Sequence, residues 1–167
     1  MNRPLWRPAY IGIGSNLQSP ARQIERGLEA LNRIEDAKLV CRSGNYRSAP
    51  FGPVSQGDFL NGVAGIITRL EPRQLLSHLQ TIEDAQGRDR AAERWGPRTL
   101  DLDLLACGSL RVDEDDLTLP HPGIAERNFV LLPWAEIAPA FQVPGLGSVA
   151  RLARMSPAKP RIERLSQ

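Results

Sequence analysis

Two carboxylates, Asp101 and Asp103, stand two residues apart in the apolar run Thr99-Leu100-Asp101-Leu102-Asp103-Leu104-Leu105. A strand alternates faces and rises about 3.3 Å per residue, so both side chains point the same way, roughly 6–7 Å apart. Leu100, Leu102 and Leu104 then face the opposite side and anchor the strand in a core. Like charges at that spacing repel, and Asp is a poor strand former. A divalent cation, or a pair of them, removes the penalty. Just upstream, Arg88, Arg90, Arg94 and Arg98 form a cationic cluster suited to a strongly anionic ligand. Oxygen ligands for a hard metal beside several guanidiniums are the parts that phosphoryl transfer uses.

An isolated Asp-x-Asp in a strand usually marks a solvated face. The preceding Arg94-Trp95-Gly96-Pro97-Arg98 argues for more, because Gly96 and Pro97 set a turn that delivers Arg98 close to the carboxylates. Simple Asp–Arg pairing is the plain alternative. With Arg88 and Arg90 also present, such pairing leaves positive charge over, which favours an anionic ligand. Other residues carry two readings. Gln80 and Glu83, three apart on a helix and off its apolar stripe, are solvent-facing or contact a nucleotide. Trp95 is core or part of a mobile lid. Phe129 is core or part of a site, and His121, between prolines, braces a loop or binds. Asn61 lies on an otherwise apolar strand face, where a buried amide needs partners and can read a flat heterocycle. Gly12-Ile13-Gly14-Ser15-Asn16 lacks the Gly-Lys-Ser/Thr ending of a P-loop, so a bound nucleotide is held by arginines and metals.

The elements that position these residues follow from periodicity. Ala9–Gly14 reads as a strand closed by Ser15 and Asn16, and Ser19 caps a helix with Pro20 in its first turn. That helix carries the stripe Ile24, Leu28, Leu31, Ile34. Residues 38–48 make a second strand, weakened at Gly44 and Asn45, and Phe59–Thr68 a third, with Phe59, Asn61 and Val63 sharing a face. Pro72 opens a second helix with the stripe Leu75, Leu79, Ile82, and Thr99–Cys107 is the fourth strand. The order βαββαβ predicts an α+β fold, a ferredoxin-like core with an antiparallel sheet. The last third, with an acidic turn at 113–116 and helical turns at 124–137, extends it by helices and short strands into three α/β/α layers. Residues 156–167 are expected to be a flexible tail on a single domain spanning 1–167.

Composition narrows the classes. The chain has 167 residues, 41% hydrophobic and 24% charged, enough for one domain with a real core. A net charge of +2 is too small to imply nucleic acid or membrane by itself. Lys38 and Lys159 are the only lysines among 21 basic residues, a general bias that weakens any single arginine but not the 88–98 cluster. Cys41 and Cys107 lack metal spacing and suit a reducing cytosol, and with His78 and His121 the only histidines a zinc site is not expected. No apolar run reaches the roughly 18–20 residues that span a bilayer, and Met1–Pro8 has no signal-like apolar region.

Several separated motifs occur in a definite order: Gly14-Ser15-Asn16-Leu17, Tyr46-Arg47-Ser48, Phe59-Leu60-Asn61, Gln86-Gly87-Arg88, Arg94–Leu105, and Leu119-Pro120-His121-Pro122 followed by Arg127 and Phe129. Together they resemble the 6-hydroxymethyl-7,8-dihydropterin pyrophosphokinase family, over about Ala9 to Pro139. The resemblance implies transfer of pyrophosphate from ATP to the pterin's hydroxymethyl oxygen, with release of AMP, in folate biosynthesis. By the same resemblance, Asp101 and Asp103 hold two magnesium ions, and Arg88 and Arg98 stabilise charge on the transferred group. Gln80, Glu83, Arg90, Trp95, Thr118, His121 and Arg127 then contact ATP or close over it. Asn61 reads the pterin, helped by backbone near Ser48 and Phe51, while Phe59 and Phe129 sandwich its ring and Trp95 joins them. Two departures stand out: Phe59 is often tyrosine in relatives, and Asp89 sits between Arg88 and Arg90.

The expectation is a cytosolic, monomeric, magnesium-dependent enzyme without a second enzyme domain, in which loops 49–56 and 88–98 close over the substrates. The rival reading is a non-catalytic ferredoxin-like module for RNA or a nucleotide. Four phenylalanines and two tyrosines, with no RNP-type aromatic run, argue against it. The paired carboxylates would also repel a polyanion in the absence of metal.

Overall fold

The computed structural model describes residues 3–91 and 94–166. Its first strand, β1 (Arg7–Ser15), is an interior strand of the sheet, paired on both sides, and α1 (Pro20–Leu31) follows. Ser19 precedes α1 but does not cap it through its side chain: its φ is 63°, and its carbonyl instead accepts from the amides of Arg22 and Gln23. The expected strand 38–48 is two strands, β2 (Ala37–Arg42) and β3 (Tyr46–Ser48). The break has its cause across the sheet. Ser43 exchanges with Val63 through both its amide and its hydroxyl, and Oγ accepts the Val63 amide at 2.9 Å. This side-chain bond replaces a ladder rung and turns the chain at Gly44.

Strand β4 (Phe59–Thr68) pairs with β1, β2 and β3. Helix α2 (Pro72–Ala85) opens with a reciprocal capping box between Glu71 and Gln74, a stronger start than Pro72 alone. Strand β5 (Asp101–Cys107) pairs with the other edge of β1. Every pairing in this sheet is antiparallel, in the order β3-β4-β1-β5, with β2 also on β4. Next come the hairpin β6 (Val112–Glu114) and β7 (Leu117–Leu119), a 3-10 turn at Ile124–Glu126, and α3 (Asn128–Ile137). The short pair β8 (Gln142–Val143) and β9 (Gly147–Ser148) leads into α4 (Val149–Arg154). The segment expected to fray instead contains β10 (Ile162–Arg164), which extends the sheet beyond β3. An edge strand needs only backbone partners, so its prolines and charges gave no apolar period to read.

Alternation along the strands sorts the sheet's side chains between two apolar clusters. Ile11, Ile13, Ala64, Ile66, Leu102 and Leu104 pack with the stripes of α1 and α2. Val63 and Leu105 pack with Val130, Leu131 and Trp134 of α3 and Val149 of α4. Asp101 and Asp103 therefore share the face of Leu105, and Phe59 and Asn61 that of Val63. All four point to the α3 side of the sheet, beyond the end of the apolar packing. No helix among the described residues is long and apolar enough to cross a membrane.

Candidate active site

Three adjacent strands make the floor of a cavity of about 230 Å³. From β5 come Asp101 and Asp103, from β4 Phe59 and Asn61, and from β1 Gly12 and Gly14. The glycines matter because their missing side chains leave the floor open. A Cβ on Gly14 would come within 3.3 Å of the Asn61 amide oxygen, and one on Gly12 within 3.8 Å of Asp103. Ser48, Phe51, Trp95, Arg98, His121, Arg127 and Phe129 complete the walls, with Arg94. Eleven of the sixteen candidate residues thus line one cavity.

Its charged half is an interlocked set of ion pairs. Asp101 accepts from Arg88 at 2.6 Å and Arg98 at 3.2 Å, and Asp103 from Arg127 at 3.4 Å. Arg88 also pairs with Glu83, which is buried and not solvent-facing. Glu83 Oε2 accepts the amide of Leu102 at 3.4 Å, so it ties α2 to the strand that carries the carboxylates. Three carboxylates therefore meet Arg88, Arg98 and Arg127, with Arg90 a looser partner of Glu83 at 3.9 Å. Burial and the neighbouring Asp101 hold the Asp103 carboxyl above the usual carboxylate range, against the pull of Arg127, Arg98 and Arg88. Burial is the larger part of that cost, and the Asp101 part is the one the strand spacing foreshadowed.

No group of three or more His, Cys, Asp or Glu ligands occurs among the described residues. Two carboxylate side chains are a poor cage for calcium or zinc. They suit magnesium, which keeps waters and takes one or two carboxylates plus substrate phosphates. His121 is neutral: Nδ1 accepts the Gly123 amide at 3.0 Å, which leaves the proton on Nε2. Burial, aided by Arg127, lowers its pKa to about 4.

The second half of the cavity is apolar with one amide. Asn61 is buried and donates to Ser48 Oγ at 2.7 Å. Phe51 lies edge-on to Trp95 and tilted to Phe129, with ring centroids 5.7 Å away in both cases. Trp95 has φ 74° and packs on the backbone of Gly52, whose φ of 108° is open to glycine at little cost.

Five candidates do not line the cavity: Glu83 and Arg88, which back Asp101, and three that stand further out, Gln80, Arg90 and Thr118. Arg90 pairs with Asp84 at 2.7 Å and donates to the Gln80 carbonyl at 3.1 Å, so the two stabilise the end of α2. Thr118 is exposed on β7 opposite Asp113. Conversely, Asn16 and Gln56 brace the cavity's loops although nothing in the sequence marks them as site residues. Asn16 Oδ1 accepts the Arg98 amide at 2.8 Å, while its Nδ2 donates to Gln56 at 3.0 Å and to the Gly57 carbonyl at 3.1 Å. Gln56 in turn donates to the Trp95 carbonyl at 2.5 Å. Asn16 reads as a turn residue, and its partners are 40 and 82 positions away, so no local pattern reveals them.

Comparison with known proteins meets this geometry from outside. The family model described as 7,8-dihydro-6-hydroxymethylpterin-pyrophosphokinase (HPPK) matches residues 10–139. The 2-amino-4-hydroxy-6-hydroxymethyldihydropteridine pyrophosphokinase of Haemophilus influenzae is 42% identical over 146 residues, 87% of this chain and 91% of that protein. Its namesake from Pseudomonas aeruginosa is 47% identical over 135 residues, 81% and 83% of the two chains. Among solved structures, Plasmodium falciparum HPPK-DHPS with pteroate superposes with TM-score 0.70 at 12% identity, over 92% of this chain. This chain spans only 43% of that longer polypeptide, and the likeness concerns the mixed α/β fold with its antiparallel sheet. With 130 of its 167 residues matched by one family's model, the chain belongs to the 7,8-dihydro-6-hydroxymethylpterin-pyrophosphokinase family.

Proposed function

We propose that this chain transfers the β,γ-pyrophosphoryl group of ATP to the hydroxymethyl oxygen of 6-hydroxymethyl-7,8-dihydropterin. The pterin hydroxyl oxygen bonds to the β-phosphorus and its proton is released to solvent, while the bond between that phosphorus and the α,β-bridging oxygen breaks and AMP leaves with that electron pair. The observation that carries the reading is the division of one cavity into two chemically distinct halves. A carboxylate pair ringed by arginines suits a triphosphate, and a buried amide among phenylalanines suits a flat heterocycle. With a heterocycle in one half and a triphosphate in the other, the shared floor would bring the hydroxymethyl group next to the phosphate chain, the orientation a direct transfer needs.

Asp101 and Asp103 would hold magnesium, two ions in our reading, which supplies charge neutralisation on the phosphates. Ligand entry requires the ion pairs to exchange. Arg88 and Arg98 leave Asp101 for phosphate oxygens, so the same guanidiniums serve the empty and the filled site. Arg127 turns from Asp103 in the same way, and neutral His121 offers Nε2–H to an acceptor without adding charge. Asn61 donates and accepts along the pterin edge, with its orientation set by Ser48. Phe59 and Phe129 flank the ring, which requires Phe51 to yield its place against Phe129. Loops 49–56 and 88–98, the latter including residues 92–93 that lie outside the described residues, close over the substrates and exclude water, with Gln56, Trp95 and Arg98 joined through Asn16. Gln80, Arg90 and Thr118 reach ATP only after such closure.

We read the topology as a ferredoxin-like βαββαβ core, extended into three α/β/α layers, in a single-domain, monomeric, cytosolic enzyme. The deciding experiment is product analysis with ATP and magnesium, with and without the pterin. Pterin-dependent AMP, one per pterin diphosphate, supports the proposal. ADP as product, or AMP formed at the same rate without pterin, refutes it.

A further inference from the structure

The C-terminal strand is bonded to both walls of the amide-aromatic half of the cavity. On one side, Ile162 stands opposite Ser48 in the β10–β3 register, and the Ala49 amide donates to the Arg161 carbonyl at 3.4 Å. Ser48 and Ala49 both line the cavity, and Ser48 Oγ is the partner of Asn61. On the other side, the Pro160 carbonyl accepts from Asn128 Nδ2 at 2.7 Å. Asn128 directly precedes Phe129, another wall residue, and is 2% exposed. Its Oδ1 is buried with no partner among the described residues. A side chain that tolerates one unpaired polar atom in order to make one bond is held there by that bond.

Three consecutive residues, 160 to 162, thus join the end of β3 to the start of α3. The strap is anchored again at its far end. The Leu165 amide donates to the Asn45 carbonyl at 2.9 Å, and Arg164 pairs with Glu136 of α3 at 2.9 Å. Glu136 also accepts from the Tyr46 hydroxyl at 2.6 Å. Neither apolar cluster contains a described residue beyond Ala153, so the strap contributes bonds across the two walls and not core burial. It also lies outside residues 10–139, the part matched to the family.

We propose that residues 160–164 act as a positioning strap that sets the spacing between Ser48–Ala49 and Phe129, and so tunes affinity for the pterin but not for ATP. This rests on the pterin reading of that half of the cavity. Most of the phosphate half is built from β5, α2 and the 94–98 loop, to which the strap makes no hydrogen bond among the described residues; its one link to that half is Arg127, the chain neighbour of Asn128, which Asp103 holds separately at 3.4 Å.

The test uses the full-length chain with three substitutions. Glu163 faces Arg47, and because 161/49 and 165/45 are hydrogen-bonded positions of the antiparallel ladder, 163/47 is one as well. Glu163→Pro removes that amide, whereas Glu163→Ala keeps it and alters only an exposed side chain. Asn128→Ala removes the donor to Pro160. Glu163→Pro and Asn128→Ala raise the KM for pterin at least ten-fold, leave kcat and the KM for ATP within two-fold, and Glu163→Ala matches the parent. An unchanged pterin KM in folded Asn128→Ala, or an equal rise for both substrates, overturns the proposal. If Glu163→Pro fails to fold, Asn128→Ala alone decides. Hydrogen exchange at the Ala49 amide reads the strap without substrate: faster exchange in Asn128→Ala supports it, and parent-like exchange overturns it. A parent enzyme that makes no pterin-dependent AMP defeats the functional reading separately.

Discussion

Replacing Asp101 by Asn separates a catalytic carboxylate from a structural one, because the two roles give opposite magnitudes. The side chain is 28% exposed and accepts from Arg88 and Arg98, which are 18% and 22% exposed. Partly exposed pairs of this kind contribute about 0.5–1 kcal/mol each, so their loss costs roughly 1–2 kcal/mol. Against this, the substitution removes repulsion with Asp103. At about 6.5 Å and an effective dielectric near 20, that repulsion is about 2.5 kcal/mol before screening. The amide oxygen also still accepts from one arginine, and Arg88 keeps Glu83. The terms nearly cancel, leaving a change within about 1 kcal/mol, or about 2–4 °C in Tm for a chain of this size. Activity responds differently. Weakening a metal site whose Lewis acidity contributes about 4 kcal/mol to the transition state lowers kcat/KM about a thousand-fold. The assay is AMP release by chromatography, paired with thermal unfolding by circular dichroism. A variant within ten-fold of parental kcat/KM refutes the metal assignment. A fall in Tm beyond 10 °C, with activity tracking the folded fraction, refutes the claim that Asp101 is dispensable for the fold.

Asn61→Ala removes a buried amide that donates to Ser48, and calorimetric pterin affinity in the presence of an inert ATP analogue falls ten- to about a hundred-fold, or about 1.4–3 kcal/mol. A loss confined to ATP would show that the residue serves the other ligand. For His121 the folded pKa of about 4 lies below the ordinary 6.5, so between these values the unfolded chain holds more protons. Stability therefore rises with pH across that window and is lost as pH falls, by at most about 3 kcal/mol and less for a partly exposed ring. His121→Gln removes this slope; urea midpoints at pH 4.5 and 7.5 that change equally in both proteins contradict the burial argument. Gly27 faces Leu100, whose Cδ2 would lie 3.1 Å from an added Cβ. Gly27→Val overpacks that contact by about 2–3 kcal/mol and displaces the residue before Asp101, so Tm and kcat fall together. An unchanged melt shows that α1 can shift away.

Short-range patterns made much of this protein legible. The apolar period over Phe59–Thr68 marks β4 residue for residue, and Pro72 marks the start of α2, because each signal is decided within one element. The face shared by Asp101 and Asp103 follows from strand alternation alone. Signals that depend on a distant partner are not legible within one element. Ser43 ends β2 because its hydroxyl meets Val63 across the sheet. Glu83, three residues from Gln80 on a helix, looks solvent-facing until Arg88 and the Leu102 amide close around it.

The order of elements, the acid pair, the arginine cluster and the family motifs were determined by the amino-acid sequence, since each is a matter of residue type and local period. What the tertiary structure decided is which charges meet and what joins the walls. It assigned Arg88 and Arg98 to Asp101, Arg127 to Asp103, and Arg90 away from the cavity to Asp84. It also turned a proline-rich, charged tail into a strand on β3. Guanidiniums on long side chains reach any of several carboxylates, and backbone groups pair without regard to side chain. Only the packed chain selects among those partners.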